Sequence, residues 1–299
     1  MNRREFVVKS GLLMSLLPLM KYANATTVEG LKFGLVTDLH YADREINKTR
    51  HYRDSIAKLQ DAVKEFNQQD VDFVINLGDL KDESKDPSRK ETLQFLNTIE
   101  KVLQKFNGPI YHVLGNHDMD SITKKDYLKT TKNSGKAKGK SYYAFQMKGI
   151  RFVVLDANYN SEMQDYEPGN FKWNDANIPE EQLKWLEKEL SDSDLPTVVF
   201  IHQLLDDFAM KDDHDLLHCV KNAAEVRTIM EKAGNVIAVF QGHDHAGNYS
   251  YNAETHFFTM KAMVEGAYPE NNCYAVVEIK GGEIHIDGFG HGEDRTLFL

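Results

Sequence analysis

The chain has 299 residues, 41% hydrophobic and 27% charged, a composition that excludes collagen-like, coiled-coil and disordered proteins and leaves a soluble globular one. Its 36 basic side chains against 46 acidic ones give a formal charge of -10, which argues against a nucleic-acid binder relying on counterion release. A phosphate bound by such a chain must meet local positive charge, and in an acidic protein metal is the ready source.

Residues 1–25 read as an export signal. Arg3 and Arg4 open a basic segment, residues 11–20 form an apolar stretch too short to span a bilayer, and Ala23-Asn24-Ala25 is a small-x-small cleavage site. The run Arg3-Arg4-Glu5-Phe6-Val7-Val8-Lys9 resembles a twin-arginine signal with its lysine one place late. The expectation is a signal peptide over 1–25 and a single domain over 26–299, exported to the periplasm with no membrane anchor left after cleavage. A cytosolic protein with an amphipathic N-terminal helix is the alternative.

From residue 31 onward, short β-branched runs alternate with longer helical patterns, the signature of an α/β fold. The pattern predicts strands over 31–37, 71–77, 109–114, 142–147, 151–155, 197–201, 236–240, 255–260, 274–279 and 283–287, and helices over 50–67, 88–106, 179–190 and 223–233. Pro179-Glu180-Glu181 puts proline and acidic residues in a first turn, where a helix accepts them. The last strands follow one another with no helix between, so part of the sheet is antiparallel. The lysine-rich stretch 124–140 reads as a solvated loop. Cys219 and Cys273 fit no zinc spacing and are expected as two buried thiols, with one disulfide the alternative.

The chemistry-bearing residues fall at the ends of predicted strands, where an open α/β sheet places its ligand. Asp38-Leu39-His40 follows the first strand, Gly78-Asp79 the second and Gly115-Asn116-His117-Asp118 the third. His202 follows the sixth and Gly242-His243-Asp244-His245 the seventh. Singly, each reads as a turn or a surface histidine; jointly, five strand ends carry nitrogen and oxygen donors toward one edge. Asp38, His40, Asp79, Asn116, His202, His243 and His245 are too many for one tetrahedral site that keeps a position open. If Asp79 bridges, each of two ions receives four protein ligands and shares a water. The mix of carboxylate, amide and imidazole suits Mn, Fe or Zn, whereas Ca or Mg would not need four histidines.

The series Asp-x-His, Gly-Asp, Gly-Asn-His-Asp, His, Gly-His-x-His resembles the calcineurin-like metallophosphoesterase superfamily, in order and over almost the whole chain after residue 25. The resemblance implies a four-layer α/β/β/α sandwich with a mixed central pair of sheets. It implies one metal held by Asp38, His40, Asp79 and His245, and the other by Asp79, Asn116, His202 and His243. His117 matches the position that contacts substrate and protonates the leaving oxygen, with Asp118 orienting it.

A narrower likeness, carried by Tyr41-Ala42-Asp43, Thr49-Arg50-His51-Tyr52-Arg53 and Glu181-Gln182-Leu183-Lys184-Trp185-Leu186, is to the manganese-dependent ADP-ribose/CDP-alcohol diphosphatase branch. The sequence departs from that branch at His40, where glutamine is usual, and at Asp118, where glutamate is usual.

The function expected is hydrolysis of phosphoric esters or anhydrides by in-line attack of a hydroxide shared by two divalent or mixed-valence ions. The partner expected is a small phosphorylated substrate, such as a nucleotide diphosphate derivative or a phosphodiester. A broad phosphomonoesterase is the alternative, and a non-catalytic binding scaffold on the same fold a remoter one. Arg50, Tyr52 and Arg53 either reach a second phosphate or ribose or form the exposed start of a helix. Among Tyr159, Tyr166, Phe171 and Trp173, a base-stacking role competes with packing of their loop onto its own sheet.

Overall fold

The computed structural model of the protein describes residues 30–299, so the export signal expected over 1–25 lies outside the described residues. Six strands, β1 (Leu31–Val36), β2 (Phe73–Asn76), β3 (Ile110–His112), β10 (Cys273–Lys280), β11 (Glu283–Gly290) and β12 (Arg295–Phe298), form one sheet in the order β12-β11-β10-β1-β2-β3. A second sheet contains β4 (Tyr143–Met147), β5 (Ile150–Val154), β6 (Thr197–Phe200), β7 (Val236–Gln241), β8 (Asn248–Asn252) and β9 (Thr255–Thr259), in the order β4-β5-β6-β7-β9-β8. Both are mixed. β1, β2 and β3 run parallel while β10 to β12 are antiparallel, and β5, β6, β7 and β9 run parallel between antiparallel β4 and β8.

The central strands are buried end to end, β2 as FVIN and β7 as VIAVFQ. That is how a strand covered on both faces reads in sequence. Between the sheets, Phe33 of β1 stacks on Phe73 at 5.0 Å and meets the rings of Phe152, Phe200 and Phe240 edge-on. Truncating Phe33 to alanine is expected to cost about 3–5 kcal/mol. A urea titration would read this as a lower midpoint at unchanged slope, and a midpoint within experimental scatter of the parent would contradict the packing account.

Helices supply the outer layers. Leu59, Ala62, Val63 and Phe66 of α1 (Ser55–Gln68), with Leu96, Ile99 and Leu103 of α2 (Arg89–Leu103), join the core of the first sheet. Leu183, Leu186 and Leu190 of α4 (Glu180–Ser191), with Ala223, Val226 and Met230 of α5 (Ala223–Ala233), form a separate cluster on the second. The three-to-four-residue spacing gives each helix one apolar stripe, and the result is the expected four-layer α/β/β/α sandwich.

Three elements were not expected from sequence. The stretch 124–140 begins with α3 (Lys124–Thr130), started by a capping box in which Thr123 and Asp126 satisfy each other's backbone N–H groups. β8 and β12 are edge strands whose polar residues obscure the alternation. The helix expected from residue 50 begins at Ser55, after a short 3-10 turn over Tyr52–Asp54. Cys219 and Cys273 are free and buried, and burial pushes both thiols up to about 12.

Candidate metal centre

The parallel strands β1, β2, β3, β6 and β7 all deliver their C-terminal ends to one side of the sandwich. There the chain leaves each strand abruptly. Asp38, His40, Asp79 and His243 take positive φ angles of 51°, 46°, 52° and 68°, a conformation that costs a side-chain-bearing residue about 1 kcal/mol or more. Two glycines make the crossing possible, because a Cβ at Gly115 would collide with Asp79, and one at Gly242 with Thr37 Oγ1 and the Asp38 carboxylate.

The seven residues singled out as metal donors converge. His40 Nε2 lies 3.6 Å from Asp38 Oδ1, 3.4 Å from Asp79 Oδ2 and 3.2 Å from His245 Nε2, and His245 Nε2 lies 3.5 Å from Asp38 Oδ1. On the other side of Asp79 Oδ2, His202 Nε2 is 3.3 Å from it and 3.1 Å from Asn116 Oδ1. His243 joins Asp79 and His202 in a group whose ligand atoms lie within 4.8 Å of one another. Asp79 Oδ2 therefore belongs to both groups.

The outward-facing atoms of these side chains are fixed elsewhere. His202 Nδ1 donates to the Leu77 carbonyl (2.9 Å), which only accepts, so Nε2 is the ring nitrogen turned into the site. His40 Nδ1 lies 3.2 Å from Asp82 Oδ2, and His245 Nδ1 lies 2.6 Å from Glu265 Oε1. Asp38 Oδ2 accepts from Thr37 Oγ1 and from the His243 N–H, and Asp79 Oδ1 accepts from the His117 N–H. Among the described residues, the inward atoms Asp38 Oδ1, Asp79 Oδ2 and His243 Nε2 are buried without a hydrogen-bond partner. Buried acceptors facing one another require a cation or a proton between them, so the donor set fits divalent metal.

Protonation follows the same imbalance. Burial opposes ionisation of Asp38 and Asp79, but the neighbouring imidazoles, His202 first, outweigh it and hold both carboxyls well below the usual range. Burial also opposes charge on His202, yet Asp79 and Asp38 carry it up to about 9. His243 has burial and the His202 charge against it and is pushed well down, leaving a neutral ring.

His117 lines the same cavity, its ring edge-on to that of His40 with centroids 4.9 Å apart and its ligand atom within 4.8 Å of those of His40 and Asp79; the resemblance gives it to the substrate side of the site. Its Nδ1 lies 3.5 Å from Asp120 Oδ2 and 3.8 Å from Asp82 Oδ1. Burial alone would lower it, but Asp82 and then Asp120 raise it to about 9. Asp118 does not orient His117, against expectation. Asp118 instead accepts from the backbone N–H groups of Asp79, Leu80 and Gly115, tying the second and third strand ends together. The partners of His117 are Asp120 and Asp82, and Asp120 is itself held by Lys81.

Residues 31–247 match the family model described as calcineurin-like phosphoesterase. The chain belongs to that family. As a calcineurin-like phosphoesterase it is a metal-dependent phosphohydrolase, and curated relatives align over most of its length. A manganese-dependent ADP-ribose/CDP-alcohol diphosphatase of Arabidopsis thaliana is 28% identical, covering 86% of this chain and 93% of the plant protein. The protein of the same name from Oryza sativa subsp. japonica is 29% identical over 89% and 93%. The crystal structure of a dimetal phosphatase from Danio rerio superposes with a TM-score of 0.76 at 22% identity, covering 90% of this chain and 98% of that one, a likeness of fold.

Asp82 and Glu265 escaped the sequence reading of this phosphoesterase. Asp82 lies three residues past Asp79, and that spacing was its only signal; Glu265 lies in no motif. Carboxylates that fix a ligating imidazole are worth about 10–100-fold in metal affinity. Asp82→Asn and Glu265→Gln are each expected to weaken metal binding by that factor, read by competition with a chelating dye, and unaltered affinity in both would contradict the role.

The other expectations divide. Arg50 lines the cavity, Tyr52 is buried, and Arg53 is exposed in ion pairs with Asp43 and Glu45. Among the loop aromatics, Tyr166 is buried, Phe171 packs against the core, and Tyr159 covers Lys124.

Proposed function

We propose that the protein hydrolyses the diphosphate anhydride of nucleoside diphosphate derivatives with two manganese ions. Asp38, His40, Asp79 and His245 would hold one ion, and Asp79, Asn116, His202 and His243 the other. The observation that carries this reading is Asp79 Oδ2, buried, without a hydrogen-bond partner among the described residues and within 3.4 Å of imidazole nitrogens on both sides. Manganese and the nucleotide substrate are supported by the names of the aligned plant relatives.

Divalent ions held there would supply positive charge to the phosphoryl oxygens and lower the pKa of a bound water. The rest falls to the chain. Water oxygen forms a bond to phosphorus as the water gives up a proton to solvent, the anhydride bond breaks, and the leaving phosphate takes the electron pair. His117, with Asp82 and Asp120 beside its Nδ1, stands at the cavity wall to give that oxygen a proton. Asp118 holds the backbone of Asp79 and Gly115 against each other, so the donor at one strand end stays in register with those at the next.

The test is a panel of ADP-ribose, CDP-choline, a cyclic nucleotide, a phosphomonoester and bis-p-nitrophenyl phosphate, run with Mn2+. The expected order places the two diphosphates first by kcat/KM. A preference for the monoester would replace this reading with a phosphomonoesterase, and no turnover with a metal-free protein would favour a binding scaffold. Export is proposed alongside, with a mature amino terminus at Thr26; intact Met1 on the mature protein would overturn it.

A further inference from the structure

Trp173 occupies an unusual position. It is 37% exposed, packs into none of the buried apolar clusters of the described residues, and yet lines the cavity of about 190 Å3 above the donor groups. Its ring centroid lies 6.1 Å from that of His243 and 5.3 Å from that of His218, and His218 in turn lies 5.3 Å from His243. Phe171 and Tyr166, from the same loop, turn inward and anchor it, the Tyr166 hydroxyl donating to the Lys172 carbonyl at 2.8 Å. An indole that keeps more than a third of its surface in water beside a polar site leaves that surface for a flat partner to cover.

The opposite end of the cavity has a different chemistry. Arg50 lies 3.9 Å from both Asp82 and Glu265, the carboxylates behind His40 and His245. Neither distance is a hydrogen bond, so guanidinium donors remain for a ligand. The cavity therefore runs from a cation at the His40 and His245 end to an aromatic platform at the His243 end, with Asp79 between.

We propose that Trp173, backed by His218, is the base-stacking platform of a nucleotide subsite, and that Arg50 takes the phosphate distal to the base. The subsite rests on the phosphohydrolase reading above and assigns its substrate an orientation: base toward His243, reacting phosphorus beside Asp79, second phosphate toward Arg50. Stacking of this kind accepts any base, since every base offers a π face, so adenine and cytosine nucleotides are both accommodated.

The chain has two tryptophans, and Trp185 sits against Tyr142, away from this cavity. The variant Trp185→Phe thus leaves Trp173 as the sole indole. In that protein, with Mn2+ present, AMP and CMP are expected to quench the fluorescence saturably, whereas ribose 5-phosphate, which has the phosphate and lacks the base, leaves it largely unchanged. Equal responses to all three would overturn the stacking assignment, and so would no response to any. In parallel, Trp173→Leu is expected to reduce the ratio of kcat/KM for ADP-ribose to that for dimethyl diphosphate by roughly tenfold or more, with Trp173→Phe recovering most of it. An unchanged ratio would overturn the proposal. If the parent turns over neither substrate, the diphosphatase reading fails on its own, while the fluorescence titration still decides the subsite.

Discussion

Asp79→Asn is expected to lower kcat by about 10³-fold or more, the loss that follows if metal contributes several kcal/mol to the transition state. The amide matches the carboxylate in shape, and Asp79 Oδ1 only accepts, from the His117 N–H, so the local backbone can be kept. What changes is Oδ2, which sits between His40 Nε2 and His202 Nε2. An amide there brings no negative charge and cannot bridge two cations. Circular dichroism and the urea midpoint should stay near those of the parent. Near-parental turnover at saturating Mn2+ would reject the ligand assignment.

His117→Ala is expected to reduce kcat by about 10²–10⁴-fold, the range for loss of a positioned acid. The side chain is partly open to the cavity and has the Asp82 and Asp120 carboxylates beside its Nδ1. Metal stoichiometry should not change, because its imidazole lies outside both proposed ligand sets. The loss should shrink for substrates with good leaving groups, so the ratio of the two effects, ADP-ribose against bis-p-nitrophenyl phosphate, is the informative readout. Equal losses on both would argue for a role in binding alone.

The strand ends that carry the donors were legible in sequence because turn chemistry and donor residues coincide there. Asp38, Asp79, Asn116, His202 and His243 each follow an apolar run, and buried parallel strands make such runs conspicuous. Edge strands are less so. β8 reads NYSYN, a polar segment, and β12 RTLF, four residues with only Leu297 buried, so the pairing of each is decided by a neighbour. α3 was hidden by its lysines, although Thr123 and Asp126 give a readable start signal.

The roles of side chains that act through others were harder to read. Glu265 reaches His245 across 20 residues, and Asp82 reaches His40 across 42. No local pattern encodes those pairings. Asp118 was read as a partner of its neighbour His117, yet its carboxylate is spent on three backbone N–H groups, a use that becomes visible only when two strand ends are brought together.

The central claim is that Asp79 joins two metal sites, and counting ions tests it most directly. Equilibrium dialysis against Mn2+ followed by atomic spectroscopy should give two ions per chain for the parent, one or none for Asp79→Asn, and two for His117→Ala. One ion per chain in a fully active parent, or two retained by Asp79→Asn, would contradict it.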